Sequence, residues 1–187
     1  MATAIFYYTL GGFTRKVATK LAEEQNADLF EIKEKKHRTL LRAFVPGCAE
    51  SMQMKKVPIK PIDCDFSKYD YFIIAAPVWA GYPAPALHSM LELLPQNAKL
   101  EIIAVSGKGG SSGRPKVKSK IYNMGFDLQD YKDIMKDVYL YSDKFQEKRE
   151  SALEKEKKRS RNIQQKWEKK YGKKPLPAGK GETKEEA

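Results

Sequence analysis

Two threonines bracket a pair of glycines in Thr9-Leu10-Gly11-Gly12-Phe13-Thr14, and that composition suits the holding of an anion. Glycine lets a backbone approach a ligand closely, and Thr9 and Thr14 can each donate a hydroxyl to a phosphate oxygen. Before the loop stands the apolar run Ala4-Ile5-Phe6-Tyr7-Tyr8. After it, Arg15–Glu24 is amphipathic, with Val17, Ala18, Leu21 and Ala22 on one stripe. A strand, a glycine loop and a helix start together offer backbone N–H groups and a dipole's positive end to a phosphate. No Lys-Ser/Thr pair follows the glycines, so this is not a Walker loop, and Gly-x-Gly-x-x-Gly is absent. The same residues also fit an ordinary strand–turn–helix connection closed by a glycine turn.

Two later stretches have the same build. Tyr71-Phe72-Ile73-Ile74-Ala75-Ala76 is a continuous apolar run, the pattern of a strand buried on both faces. It empties into Pro77-Val78-Trp79-Ala80-Gly81-Tyr82-Pro83-Ala84-Pro85, where Trp79 can stack on a flat ligand or pack under the next helix. Leu100–Ser106 is a third strand of the buried type. It delivers Ser106-Gly107-Lys108-Gly109-Gly110-Ser111-Ser112-Gly113, rich in glycine and hydroxyls.

The elements that must position these loops alternate in kind. Ala27–Ile32 reads as a short strand at or near a sheet edge. Glu34–Lys60 is the least regular part, with a helix expected over Arg38–Phe44, an interruption at Pro46-Gly47 and a second turn around Ala49–Met54. Helices are expected over Ala86–Leu94 and Arg114–Met124. The last strand is expected at Val138–Tyr141, with Ile134–Lys136 leading into it. Such alternation predicts an α/β fold, an open and mostly parallel sheet covered on both faces. Ligands of such sheets sit at the carboxyl ends of the strands, where the strand order reverses. Loops 9–14, 77–82 and 106–113 should therefore converge in one crevice.

Other chemistries find little support. Cys48 and Cys64 are isolated thiols without Cys-x-x-Cys spacing, and they suggest neither zinc nor a disulfide framework. His37 and His88 are the two histidines, in separate segments, and His88 is expected as a partly exposed helical residue. Ser106 lacks the Gly-x-Ser-x-Gly pattern of a nucleophile elbow. No metal site is expected. Met1–Ala4 has no basic region, so no secretory leader is expected. The apolar region Tyr71–Leu87 is broken by three prolines and is not a membrane helix. A reducing, cytoplasmic setting without membrane insertion fits best.

The 187 residues suffice for one well-cored domain, and 41% are hydrophobic, yet mean hydropathy is −0.62. Something very polar is attached. From Asp143 onward there are 15 Lys/Arg against 9 Asp/Glu, a net +6 of the total +11. The expected division is a domain over 1–142, a charged helix over 143–171 and a disordered tail over 172–187. Ile163, Trp167 and Tyr171 recur every four residues, a stripe suited to docking a partner or a second copy of the chain. The interspersed glutamates favour a solvated helix face over a nucleic-acid contact.

In order and spacing, the three loops resemble those of the flavodoxin family. Thr9, Gly12 and Thr14 match its Ser/Thr-x-Thr-Gly-x-Thr phosphate loop, with Gly11 standing where that family has its middle Thr and Phe13 where Asn is common. Pro77-Val78-Trp79-Ala80-Gly81 with Pro83 and Pro85 resembles the Pro-Val-Trp-x-Gly stretch that lines the isoalloxazine, and Ile62–Tyr71 resembles its lead-in. The resemblance spans about residues 4–141. It implies a flavodoxin-like five-stranded parallel sheet of order 2-1-3-4-5, with FMN as cofactor. Thr9, Leu10, Gly11, Gly12, Phe13 and Thr14 would hold the phosphate. Pro77, Val78, Trp79, Ala80 and Gly81 would lie against the ring, and Ser106, Gly107, Gly109 and Gly110 would close its other side. The third loop carries Lys108 and no aromatic, and positive charge beside the flavin raises its potential by stabilising the anionic reduced ring. The resemblance thus implies a redox protein, an NAD(P)H-linked reductase of quinone-like acceptors or an electron-transfer partner. The alternative is a flavodoxin-like fold without cofactor that serves as a protein- or nucleic-acid-binding module.

Overall fold

The computed structural model describes residues 2–36, 38–39, 43–107, 110–135 and 139, and three helical positions, Lys158, Arg161 and Gln165. The chain divides into two compact units, Met1–Tyr141 and Ser142–Ala187. Every element named below belongs to the first. Apart from those three positions, the charged helix and terminal tail expected over 143–187 lie outside the described residues, as do His37, Lys108 and Gly109.

Strand β1 (Thr3–Tyr7) runs through loop 9–14 into helix α1 (Phe13–Gln25), and β2 (Asp28–Glu31) returns beside it. A π-helical turn over Ala43–Gly47, with Pro46 inside it, continues into the short helix α2 (Cys48–Met52). Arg38 and Thr39 are not helical, so the expected helix does not start at Arg38; residues 40–42 are not described. Then follow β3 (Tyr71–Trp79), the two-residue β4 (Tyr82–Pro83), α3 (Ala86–Leu91), β5 (Lys99–Ser106), α4 (Arg114–Asn123) and β6 (Asp127–Met135).

The sheet order is β2-β1-β3-β5-β6, with β4 folded back antiparallel on β3. The five principal strands pair in parallel throughout. Counted by themselves they give the order 2-1-3-4-5, the doubly wound arrangement that the sequence implied. Both faces of the sheet are buried, which is why β1 and β3 read as apolar runs and β5 as one broken by Glu101 alone between Leu100 and Val105. On one face Phe6, Phe72, Ile74, Leu100 and Ile102 pack with Leu87, Met90 and Leu91 of α3 and with Val117 and Ile121 of α4. On the other, Ile5, Tyr7, Ile73, Ile103 and Val105 pack with Val17, Ala18, Leu21 and Ala22 of α1, the stripe read from the sequence.

Two expectations need correction. The last strand among the described residues is Asp127–Met135, whose apolar residues hide in a charged sequence; of the expected Val138–Tyr141, Tyr139 is helical and the rest lies outside the described residues. Leu128 pairs with Leu100, but Glu101 pairs with Asp130, so one extra residue is inserted at a bulge. That insertion puts Leu128 and Tyr131, three apart, into the same core cluster and destroys the period of two. Charges on this strand find partners: Lys132 reaches the buried Glu101 at 2.7 Å, and the Tyr71 hydroxyl donates to the same carboxylate at 3.1 Å. His88, expected to be partly exposed, is 1% exposed in the core beneath α3. Burial and the nearby Lys120 charge lower its pKa to about 3, so the ring is neutral.

Candidate functional site

Because every principal strand points the same way, β1, β3 and β5 release their chains at one edge, and their loops meet there. Between them lies a cleft of about 430 Å³. Thr9, Leu10, Gly11, Phe13 and Thr14 form its first wall, Pro77, Val78, Trp79 and Ala80 its second, and Ser106 with Gly107 its third. The convergence expected from the sequence is thus present, in a space within the ordinary range for small-ligand sites.

The first wall is built around the turn into α1. Gly12 has φ +81°, a left-handed conformation that glycine adopts without strain. Its N–H donates to Thr9 Oγ1 at 3.0 Å, so the Thr9 hydroxyl accepts one bond and keeps its proton to donate. Thr14, 2% exposed, lies in the first turn of α1. That turn contains no acidic side chain and carries Arg15 and Lys16, which oppose the helix dipole unless an anion sits nearby. A Cβ built on Gly11 would meet nothing within 4 Å. The site therefore has room for the side chain that the family's middle Thr would bring.

The second wall is the end of β3 and the turn into β4, through Ala80 and Gly81, both at positive φ. Trp79 is half-buried, with Tyr8 edge-on at 5.8 Å and the Arg38 guanidinium 5.5 Å from its ring centre. Arg38 in turn holds Glu34 at 3.1 Å and Glu50 at 2.8 Å. Burial and the Glu34 charge raise the pKa of the Tyr8 phenol, keeping it protonated. This network ties the irregular segment 34–52 to the cleft, and Ala43 and Cys48 from that segment complete the lining together with Val105. Those three were not among the residues expected at the site. Val105 was legible as the residue before Ser106, but Ala43 and Cys48 lie where periodicity gave no guidance.

Three expected residues have other tasks. Gly12 faces a second cavity on the β2 side of the loop. Gly81 accepts a 2.8 Å bond from the Gly113 N–H and sits so close to Ser112 that a Cβ would lie 2.1 Å from its Oγ. Gly110 lies against Asp133, whose carboxylate accepts from the Ser111 N–H and hydroxyl, both at 2.7 Å. The Gly81 contacts lock the second and third loops together and the Asp133 contacts tie the third loop to β6, so Gly81 and Gly110 shape the cleft without lining it. Gly109 lies outside the described residues.

Among the described residues the cleft is lined by no lysine, arginine, aspartate or glutamate. No cluster of His, Cys, Asp and Glu among the described residues could hold a metal ion, and no helix among them is long and apolar enough to cross a membrane. Cys48 and Cys64 are free thiols, both half-buried. The chemistry on offer is hydroxyl and backbone donors at one end and an apolar, aromatic wall at the other. That suits a molecule with a phosphate and a flat ring.

Comparison with known proteins agrees with this fold. No curated protein matches the chain in sequence. A protein from Bacteroides eggerthii DSM 20697 superposes with a TM-score of 0.64 at 17% identity, covering 74% of this chain and 92% of that one. The flavoprotein of Lactobacillus acidophilus NCFM, solved in complex with FMN, superposes with a TM-score of 0.61 at 21% identity, covering 75% and 98%. Its apo form gives 0.53 at 20% identity, covering 71% and 92%. The family model described as flavodoxin matches residues 3–137, most of the chain. By its sequence over that span and by its strand order, the chain belongs to the flavodoxin family.

Proposed function

We propose that the three-loop cleft binds FMN and that the protein works as a redox protein, with two-electron reduction of a quinone-like acceptor from a nicotinamide donor as its reaction. The observation that carries the reading is the cleft itself, with a hydroxyl-bearing glycine loop at the start of α1 facing a tryptophan. Thr9 and Thr14 hold the phosphate through their hydroxyls, aided by backbone N–H groups of loop 9–14. Trp79, fixed by Tyr8 and Arg38, orients the ring, and Ser106 and Gly107 bound its other side. When bound, FMN supplies an electron-accepting ring system, and the chain needs no acid–base residue of its own.

The absence of carboxylates from the described lining supports a reductase over a low-potential electron carrier. A nearby negative charge would disfavour an anionic reduced ring, and an apolar wall does not repel it in this way. The test starts with the visible absorption spectrum of the purified protein, followed by titration of FMN fluorescence. Flavin bands that travel with the protein, or saturable quenching of added FMN, are expected. A colourless protein that leaves FMN fluorescence unchanged would favour the cofactor-free binding module. Once FMN is loaded, a hydroquinone couple as low as that of electron-carrier flavodoxins would overturn the reductase reading alone.

A further inference from the structure

Loop 9–14 has two sides. Opposite the neutral cleft, its residues Thr9, Leu10 and Gly12 border a second cavity of about 370 Å³, at the carboxyl ends of β1 and β2. The two spaces differ sharply in charge. The first has no charged side chain among its described lining, whereas five cations and two carboxylates line the second. We propose that this second cavity binds the phosphate groups of a nucleotide.

The far wall explains why an anion belongs there. Residues 33–35 and 58–60 lie antiparallel around the bridge Glu34↔Ile59. The Lys60 N–H donates to the Lys33 carbonyl at 2.7 Å and the Lys35 N–H to the Pro58 carbonyl at 2.8 Å. This register places Lys33 directly opposite Lys60, a like-charge cross-strand pair that is unfavourable by itself. Both line the cavity, with Lys35 beside them. The two carboxylates in the wall are already engaged. Glu31 is held by Arg15 at 2.7 Å and Lys33 at 3.4 Å, and Glu34 by Arg38 at 3.1 Å. Lys35 and Lys60 make no ion pair among the described residues. An arriving phosphate would relieve the repulsion between Lys33 and Lys60 and meet further cations in Lys35 and Arg15.

Size and apolar lining extend the inference from phosphate to nucleotide. A bare phosphate would leave much of 370 Å³ to water, and Leu10 offers the half-buried apolar surface that a sugar or base would cover.

The test is calorimetric titration of the full-length protein at low ionic strength, with ADP and with inorganic pyrophosphate as probes. Saturable ADP binding that weakens with added salt is expected, unchanged when the protein has first been mixed with excess FMN. K33Q/K60Q should weaken it roughly tenfold or more, as loss of charge-assisted bonds does. K35Q, a change at one exposed lysine, provides the same comparison if the double variant melts at lower temperature. Failure of ADP to bind, or equal affinity in these variants, overturns the proposal. So does ADP binding that excess FMN abolishes, because the nucleotide would then occupy the neutral cleft. Pyrophosphate binding as tight as that of ADP would overturn the assignment to nucleotides. Heat of ADP binding is read directly, so failure of the FMN reading and failure of this one are separate results.

Discussion

At the scale of single residues, the phosphate loop offers opposed tests. Thr14→Val keeps the buried volume and removes the hydroxyl, and should weaken FMN binding roughly tenfold or more, the range for a hydrogen bond to a charged group. Gly11→Thr adds a hydroxyl in open space and should tighten binding by a comparable factor; fluorescence quenching reads both. His88 supplies a test of stability. Both of its ring nitrogens are buried without a hydrogen-bond partner among the described residues, a condition that costs about 1–3 kcal/mol. Its folded pKa of about 3 lies below the ordinary 6.5, so the unfolded chain takes up the proton first. Stability is then fully present above about pH 6.5 and falls as pH drops toward 3, with a limiting slope of about 1.4 kcal/mol per pH unit. His88→Leu should raise the melting temperature and flatten that acid limb. Residue types and spacing made Thr9, Thr14 and Trp79 legible in the sequence. They could not show that His88 turns inward, because a lone histidine on a short helix gives no indication of which face the core will cover.

At the scale of elements, the cleft depends on how the second and third loops are fastened. A Cβ on Gly113 would lie 2.3 Å from the Tyr82 ring, closer than real contacts allow. Its backbone, at φ −77°, is unstrained, so the conflict is purely steric. Gly113→Ala should destabilise the protein by about 1–3 kcal/mol and weaken FMN binding by moving the Pro77–Gly81 wall. Adding Tyr82→Ala should recover part of that loss, a non-additivity that thermal melts of the single and double variants would reveal. The strands β1, β3 and β5 were readable because burial on both faces imposes near-continuous apolar runs. Strand β6 was not, because its bulge breaks the alternation and its charges are satisfied by partners on β5 and α4, such as Glu101 and Arg114. The segment 34–60 was equally opaque. Its ties are an ion-pair network centred on Arg38, a backbone bridge between Glu34 and Ile59 and hydrogen bonds between Ser89 and Val57, and long-range pairing of that kind has no period.

At the scale of the whole molecule, the chain returns from the far edge of the sheet to its first helix. The Tyr139 hydroxyl donates to Glu24 at 2.7 Å, its carbonyl accepts from Lys20 at 3.1 Å, and the Lys20 ammonium lies 5.0 Å from its ring centre. Burial and the Glu24 carboxylate raise its pKa. Tyr139→Ala should cost about 2 kcal/mol, seen as a lower melting temperature with FMN affinity little changed, since these contacts lie away from the cleft-lining residues. The uneven spread of charge, with net +6 carried from Asp143 onward, was visible by counting. The sheet order followed from the alternation of elements together with the family's loops. Charge counting did not reveal that the body gathers five of its own cations around one small cavity, because Arg15, Lys33 and Lys60 are distant in sequence. That cavity and the neutral cleft share Thr9 and Leu10 as a common partition. Any coupling between guests on opposite sides of one wall is reciprocal. Whatever factor one applies to the affinity of the other, the other returns in full. If filling one compartment straightens or tilts the partition, the consequence is written equally into both binding curves.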